Sequence, residues 1–318
     1  MTETLDKPQI LVIKHGALGD IMQGLDAFAS LRAGNPDAHI ALMTSPAFAG
    51  LTAMMPWFDE IIIDPRAGVF NIAAGWRNRT HLRRRWAVIV DMQCSHRTAR
   101  YFSVFVRRET RWIGTVAGCS DLLPDFTGVN NQQRMLITAK RAGGNTDADT
   151  ADINWLAGDD TSLAAIARLN LPASYAVLVP GCSQAKPEKR WPAAQFAALA
   201  RALNATGLAV CVVGTSEDRD AVDAMLVDAP KTIDLCGKTN LSVLATLCSG
   251  AACVIGNDTG PMFLAARSDA PSLVLMGPQT NPDMSAPTGP AARWLRAIPI
   301  DDISVADVEL ELKRLRQV

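Results

Sequence analysis

Twice along this chain, short runs rich in β-branched and aliphatic residues alternate with longer segments of helical period, a grammar that admits few folds. In the first half the strand runs are 10–14, 39–43, 60–63 and 87–91, with a fifth near 111–113, and the clearer helical segments are 21–33 and 46–54. The second half repeats the alternation. Its strands are expected at 176–179, 208–213, 232–235, 253–255 and 272–276, and its helices at 192–204, 217–227, 241–249 and 260–267. Strands separated by helices form parallel sheets through crossover connections. One core rarely serves more than about 250–300 residues. The 318 residues therefore predict two doubly wound α/β domains, 1–165 and 166–318. The join is expected within 161–173, after a polar stretch, 142–160, that contains GGNTDADTAD. Such domains bind ligands at the carboxyl ends of their strands, so two in series predict a central cleft. The amphipathic last segment, 305–315, is expected to pack across that cleft onto the first domain.

Composition narrows the class. A net charge of -1 and 48% hydrophobic residues describe a folded globular chain, with no basic excess for nucleic acid. The opening MTETLDKPQILVIKHG carries acids and a proline where an export signal needs a basic start and an apolar run. Apolar stretches such as 208–213 are too short to cross a bilayer. A cytoplasmic protein is expected. Seven cysteines form no CxxC pair, and with four scattered histidines no metal site is expected; the cysteines read as small core residues.

Three strand-to-helix loops carry the chemistry. The first is Lys14-His15-Gly16-Ala17-Leu18-Gly19-Asp20. A glycine-bearing turn into a helix suits a phosphate, yet GALGD is neither GxGxxG nor a Walker loop, and no acid closes a clear second strand about twenty residues on, so NAD is disfavoured. Asp20 reads either as a helix cap or as a catalytic carboxylate. The second loop runs from Pro180-Gly181-Cys182-Ser183 to Lys186, Lys189, Arg190, Trp191 and Pro192. Gly181 and Ser183 offer hydrogen-bond donors to an anion that the basic residues would neutralise; equally, those residues suit a solvated surface. The third, Asn257-Asp258-Thr259-Gly260-Pro261-Met262, follows a buried strand and opens a helix whose N-terminal N–H groups favour a diphosphate. Its plain reading is a capped helix, with Asp258 or Thr259 as the cap, and the two readings are compatible. A further turn-rich loop, 276–282, would line the same edge.

From Arg66 to Arg111 there are eleven arginines against two acids, Asp91 and Glu109, a local excess of nine. That suits phosphates, carboxylates or an anionic membrane surface, or simply a solvated face. The interleaved Trp76, Trp86, Tyr101 and Phe105 would serve either RNA stacking or a helix packing its apolar side.

At these loops the chain resembles glycosyltransferase family 9, the ADP-heptose:lipopolysaccharide heptosyltransferases, through ILVIKHGALGDIMQGLDAF, KRWPAAQFAALARAL, VVGTSEDRDAV, GNDTGPMFLAAR and LMGPQTNP in that order. The resemblance implies the GT-B fold, two facing Rossmann-like domains around a cleft, and inverting, metal-independent transfer with no cofactor beyond the nucleotide-sugar donor as substrate. It implies Asp20 as catalytic base, Lys189 as the contact to the donor phosphates, and Asp258, Thr259, Gly260 and Met262, with Asn257 and Pro261 beside them, as the donor-binding segment. Glu217 lies where an acid meets the nucleoside, and Gly181 and Ser183 complete the donor loop. The acceptor, an anionic lipopolysaccharide-type glycolipid or other glycan, is expected against the first domain at Gly19, Arg97 and Arg100, with peripheral association at the inner membrane. One departure is Phe263, where the family commonly has histidine; it leaves the sugar and base open. A GT-B-like epimerase or hydrolase, or a non-catalytic nucleotide-sugar-binding scaffold, would share the donor site.

Overall fold

A computed structural model of the chain describes residues 7–66, 71–145, 147 and 151–315. The first six residues, read above for an export signal, and residues 146 and 148–150 of the GGNTDADTAD stretch lie outside the described residues.

Two six-stranded sheets form the framework. The first contains β1 (Gln9–Ile13), β2 (His39–Thr44), β3 (Glu60–Ile63), β4 (Val88–Asp91), β5 (Arg111–Gly114) and β6 (Asp121–Leu122), in the order β3-β2-β1-β4-β5-β6. The second contains β7 (Tyr175–Val179), β8 (Ala209–Val212), β9 (Ile233–Asp234), β10 (Cys253–Asn257), β11 (Ser272–Met276) and β12 (Ala292–Arg296), in the order β12-β11-β10-β7-β8-β9. Every pairing is parallel. The central strands read as unbroken apolar runs, such as YAVLV in β7, because helices cover both faces of a parallel sheet. In each sheet the first and fourth strands are neighbours, so the chain's order reverses between them. That seam, β1 against β4 and β7 against β10, is where doubly wound sheets bind ligands.

The chain divides into compact units Met1–Ala151 and Asp152–Val318. This moves the expected boundary of 165/166 toward the N-terminus. The reason is helix Asp160–Arg168, which belongs to the second unit and not to a connector. Asp159 caps it by accepting the N–H groups of Thr161 and Ser162, and Thr246 fastens it by accepting the Gly158 N–H at 2.9 Å, with its hydroxyl 2.9 Å from that of Ser162.

The last helix, Val305–Leu315, also differs from expectation. Val308, Leu312 and Leu315 enter the second unit's own core with Trp191, Ile300 and Ile303. Its apolar face is therefore satisfied within that unit. The expected helix 21–33 is two pieces, Leu18–Met22 and Leu25–Gly34, interrupted at Gln23–Gly24. Helices Ile72–Leu82, His96–Val104 and Asn131–Arg141 were not among the expected segments; the first buries only Ala74, Asn78 and Leu82, the second only Thr98 and Tyr101. Cys182, Cys211, Cys248 and Cys253 are buried, as small core residues should be.

Trp191 is fully buried, its ring meets Phe196 edge-on at 4.8 Å, and its indole N–H donates to Ile303 O at 2.8 Å. Trp191→Ala should cost the second unit about 3–5 kcal/mol by cavity formation, read as an earlier urea transition by far-UV circular dichroism.

Candidate active site

In the second unit, four loops at the carboxyl ends of the strands are tied together by side chains. Asn257 closes β10; its amide N–H donates to Pro180 O at 2.7 Å and its carbonyl accepts the Trp191 N–H at 2.9 Å. The loop after β10 is thereby pinned to the loop after β7. Asp258 follows, its side chain 4% exposed, with Oδ2 2.5 Å from Lys189 Nζ. The Thr280 hydroxyl, from the loop after β11, donates to the same carboxylate. Gly277 in that loop lies against Glu188 O, in the turn Pro187–Lys189. Gly181 follows β7 so closely to Asp218 that a β-carbon there would collide with its carboxylate. Asp218 in turn accepts the Thr215 N–H and hydroxyl, both at 2.9 Å, which shapes the loop after β8.

Thr259 takes the N-cap position of the short helix Gly260–Ala265 with extended backbone but no side-chain cap bond, and Asp258 is held by Lys189 and Thr280. Neither expected capping bond forms. Thr259, Gly260 and Pro261 are half-buried, Ser183 and Glu217 are exposed, and Phe263 is half-buried. Asn257 and Met262 are fully buried, the latter with its sulfur against Gly256, so both side chains are occupied in holding the loop.

In the first unit the seam is organised around the loop after β1. Asp20, half-buried, accepts the Ala17 N–H through Oδ2 at 3.0 Å, so it does close the first helical turn, and Gly19 beside it is half-buried. That bond leaves Oδ1 outside the cap. Gly16 has φ +113°, a region that favours glycine, and the Phe48 ring fills the space a β-carbon would need. His15 anchors the loop. Its N–H donates to Gln93 Oε1 at 2.9 Å, its carbonyl accepts the Ser45 hydroxyl at 2.7 Å, and its Nε2 lies 2.8 Å from Asp64 Oδ2. Asp64 further accepts from Tyr101 (2.6 Å), Asn78 (2.8 Å) and the Arg66 N–H (2.9 Å). Burial alone would raise its pKa, but the bonds from His15, Tyr101 and Asn78 outweigh burial and hold the carboxyl well below the usual carboxylate range.

Two other buried ionisable groups line this seam. Burial pulls the Lys14 ammonium down, against the opposing pull of the Asp20 carboxylate. Asp91 at the end of β4 is pushed up to about 6 by burial, despite accepting the Gln93 and Cys94 N–H groups. Beside it, an open depression of about 540 Å³ includes Cys94, Thr115, Phe126, Thr127 and Arg134 in its lining. The sequence reading missed His15, Asp64, Tyr101, Asp91 and Thr280. Asp64 and Asp91 had one available signal: each is a carboxylate at the carboxyl end of an apolar strand.

The arginine-rich run separates into two groups. Arg84 forms a two-pronged bond to Glu60 at 2.7 and 2.9 Å, and Arg111 pairs with Asp121 at 2.6 Å, so these serve the structure. Arg97 donates to Arg66 O at 3.1 Å, and Arg100 is exposed.

With this geometry in hand, the chain can be set beside known proteins. The family model described as "Glycosyltransferase family 9 (heptosyltransferase)" matches residues 124–304, more than half of the chain. The chain belongs to glycosyltransferase family 9. It is 26% identical over 315 residues to lipooligosaccharide heptosyltransferase 2 of Haemophilus influenzae, covering 91% of this chain and 88% of that one. Among solved structures it is similar to the family 9 glycosyltransferase of Veillonella parvula, with TM-score 0.84, 20% identity and coverage of 98% and 97%. It is also similar to the Escherichia coli heptosyltransferase WaaC with ADP, with TM-score 0.77, 18% identity and coverage of 96% and 99%. Its fold is that of the GT-B glycosyltransferases, as the resemblance implied, and it is a glycosyltransferase.

The Asp91 carboxyl gives the first unit a titration of its own. A folded pKa of about 6, above the ordinary aspartate value of about 3.9, means that the native state holds the proton more tightly. This contribution to stability is fully present below the unfolded pKa and is lost as pH rises through the folded one. The stability of the wild type minus that of Asp91→Asn should therefore fall by up to about 3 kcal/mol between about pH 4 and about pH 7, measured by urea unfolding at each pH.

Proposed function

We propose that the protein is an inverting, metal-independent heptosyltransferase that moves a heptose or related sugar from a nucleoside diphosphate to an anionic lipopolysaccharide-type acceptor. The observation that carries the reading is the Lys189–Asp258–Thr280 cluster at the seam of the second sheet. It holds an ammonium where the loops after β7, β10 and β11 converge, the place where a doubly wound sheet receives a phosphate-bearing ligand. The similarity to a heptosyltransferase solved with ADP and to lipooligosaccharide heptosyltransferase 2 supports the donor and acceptor classes.

In this reading the second unit, 152–318, binds the donor. Lys189 neutralises the diphosphate, with N–H groups at Gly181, Thr259 and Gly260, the ring of Pro261 shaping the turn beside them, the hydroxyl of Ser183, and Glu217 toward the nucleoside. Asn257 and Met262 fix the loop from beneath. The first unit, 1–151, binds the acceptor beside Gly19 and supplies Asp20 as general base, with Arg97 and Arg100 on its anionic groups and the depression lined by Arg134 as room for its sugar. An acceptor hydroxyl gives its proton to Asp20 as its oxygen forms a bond to the anomeric carbon, and the bond to the nucleoside diphosphate breaks with its electron pair on phosphate oxygen. Lys189 meets the charge that develops there. Direct displacement inverts the anomeric centre, and no protein nucleophile or metal enters the step.

Asp20→Asn separates transfer from binding, because the amide oxygen can keep the Ala17 N–H bond while the basicity is lost. Turnover should fall roughly 10²- to 10⁴-fold with donor affinity kept; full turnover in this variant would remove the proposed base. A thermal-shift panel of ADP-, UDP- and GDP-sugars identifies the donor, since a ligand at 100 times its Kd adds about 2.7 kcal/mol, and Lys189→Ala should abolish that shift. Conversion of donor in the absence of any acceptor would favour an epimerase or hydrolase.

A further inference from the structure

The arginine-rich run contains one surface that the proposed reaction does not use. Helix Ile72–Leu82 turns Ala74, Asn78 and Leu82 inward and presents the opposite face to solvent. On that face Ile72 is 75% exposed and Trp76 62% exposed, two large apolar side chains one helical turn apart. Arginine surrounds them. Arg79 lies over the Trp76 ring at 5.3 Å, Arg77 is exposed, and Arg83 follows the helix half-buried. From Arg66 to Val90 the chain holds six arginines and no acid. Among the described residues Arg84 is paired, with Glu60, whereas no carboxylate lies within ion-pairing distance of Arg77, Arg79 or Arg83.

We infer that this helix is an interfacial docking element for an anionic bilayer, lying in the plane of the headgroups with Ile72 and Trp76 inserted and Arg77, Arg79 and Arg83 on lipid phosphates. Two observations select a bilayer over other polyanions. Ile72 has no ring to stack on a base, whereas an aliphatic side chain, an indole and arginines along one helix suit the boundary between headgroups and acyl chains. The unopposed positive charge matches an anionic leaflet, which attracts such segments. No helix among the described residues is long and apolar enough to cross a membrane. Contact of this kind is reversible and salt-sensitive, as a short apolar ridge assisted by charge must be. The helix begins eight residues beyond Asp64, which clasps His15 of the Asp20 loop, so docking would bring that loop to the surface where a lipid-borne acceptor lies. This last consequence rests on the proposed function; the docking itself does not.

The test is co-sedimentation of the full chain, without donor, with vesicles of phosphatidylcholine alone or containing about one-third phosphatidylglycerol. The wild type should bind only the anionic vesicles and be released by salt. Ile72→Ser/Trp76→Ser should lose most binding, and each of Arg77→Gln, Arg79→Gln and Arg83→Gln should weaken it about fivefold. All variants should keep the wild-type melting temperature and their transfer to a water-soluble acceptor fragment. Three results would each overturn the inference: no binding to anionic vesicles, equal binding by the Ile72/Trp76 variant, or arginine-dependent binding to RNA but not to vesicles. Loss of transfer by Asp20→Asn bears on the reaction alone, so the two readings fail separately.

Discussion

Parallel pairing of the first and fourth strands governs each unit. When β1 lies beside β4, and β7 beside β10, the crossover helices on either side must diverge, and the loops leaving those two strands part from one another at the carboxyl edge. Backbone groups at such a parting need new partners, because no strand continues to supply them. Each unit meets that need with one side chain that spans the gap: Gln93 reaches the His15 N–H in the first, and Asn257 reaches Pro180 O in the second. The ligand-binding edge is thus built from bonds that the sheet order requires.

Around these spans the two units handle charge differently. The first buries an acid that every neighbour stabilises as an anion, Asp64, and within the same sheet edge another acid, Asp91, that burial drives toward the neutral form. The second unit instead buries an acid with its counter-ion, Asp258 with Lys189. A buried pair contributes little net stability, since desolvation offsets much of its attraction. Its consequence is positional: an ammonium held at a defined point in the loop cluster.

Much of this was legible in the residues. Strand 272–276 matched the structure residue for residue, because a strand buried on both faces is an unbroken apolar run bounded by polar turns; strand 60–63 matched too, although it lies at the sheet edge with Ile63 exposed. Strand β12, with Arg293 and Trp294 exposed at the sheet edge, had no such pattern and was not seen. The helices of the arginine-rich run kept their bounds hidden for a related reason: the first buries alanine, asparagine and leucine and the second threonine and tyrosine, too few apolar residues to mark where each begins and ends. At the candidate site, glycine-bearing loops announced Asp20, Lys189 and Asp258, whereas Asp64, Tyr101 and Asn78 meet only through packing of three separate elements. Their convergence is a property of tertiary structure, and spacing along the chain carries no trace of it.

Asn257 shows how narrowly such a joint can be specified. Its amide presents a donor to one loop and an acceptor to another, and both are sealed from water. Aspartate would set oxygen against the Pro180 carbonyl, leucine would leave a carbonyl and an N–H stranded, and glutamine would reach too far. The position admits a single residue for reasons of shape and polarity alone. Neighbouring positions that face outward, Ser183 and Glu217 among them, are under no such restriction, so the rim of these loops can change while the joint beneath it stays fixed.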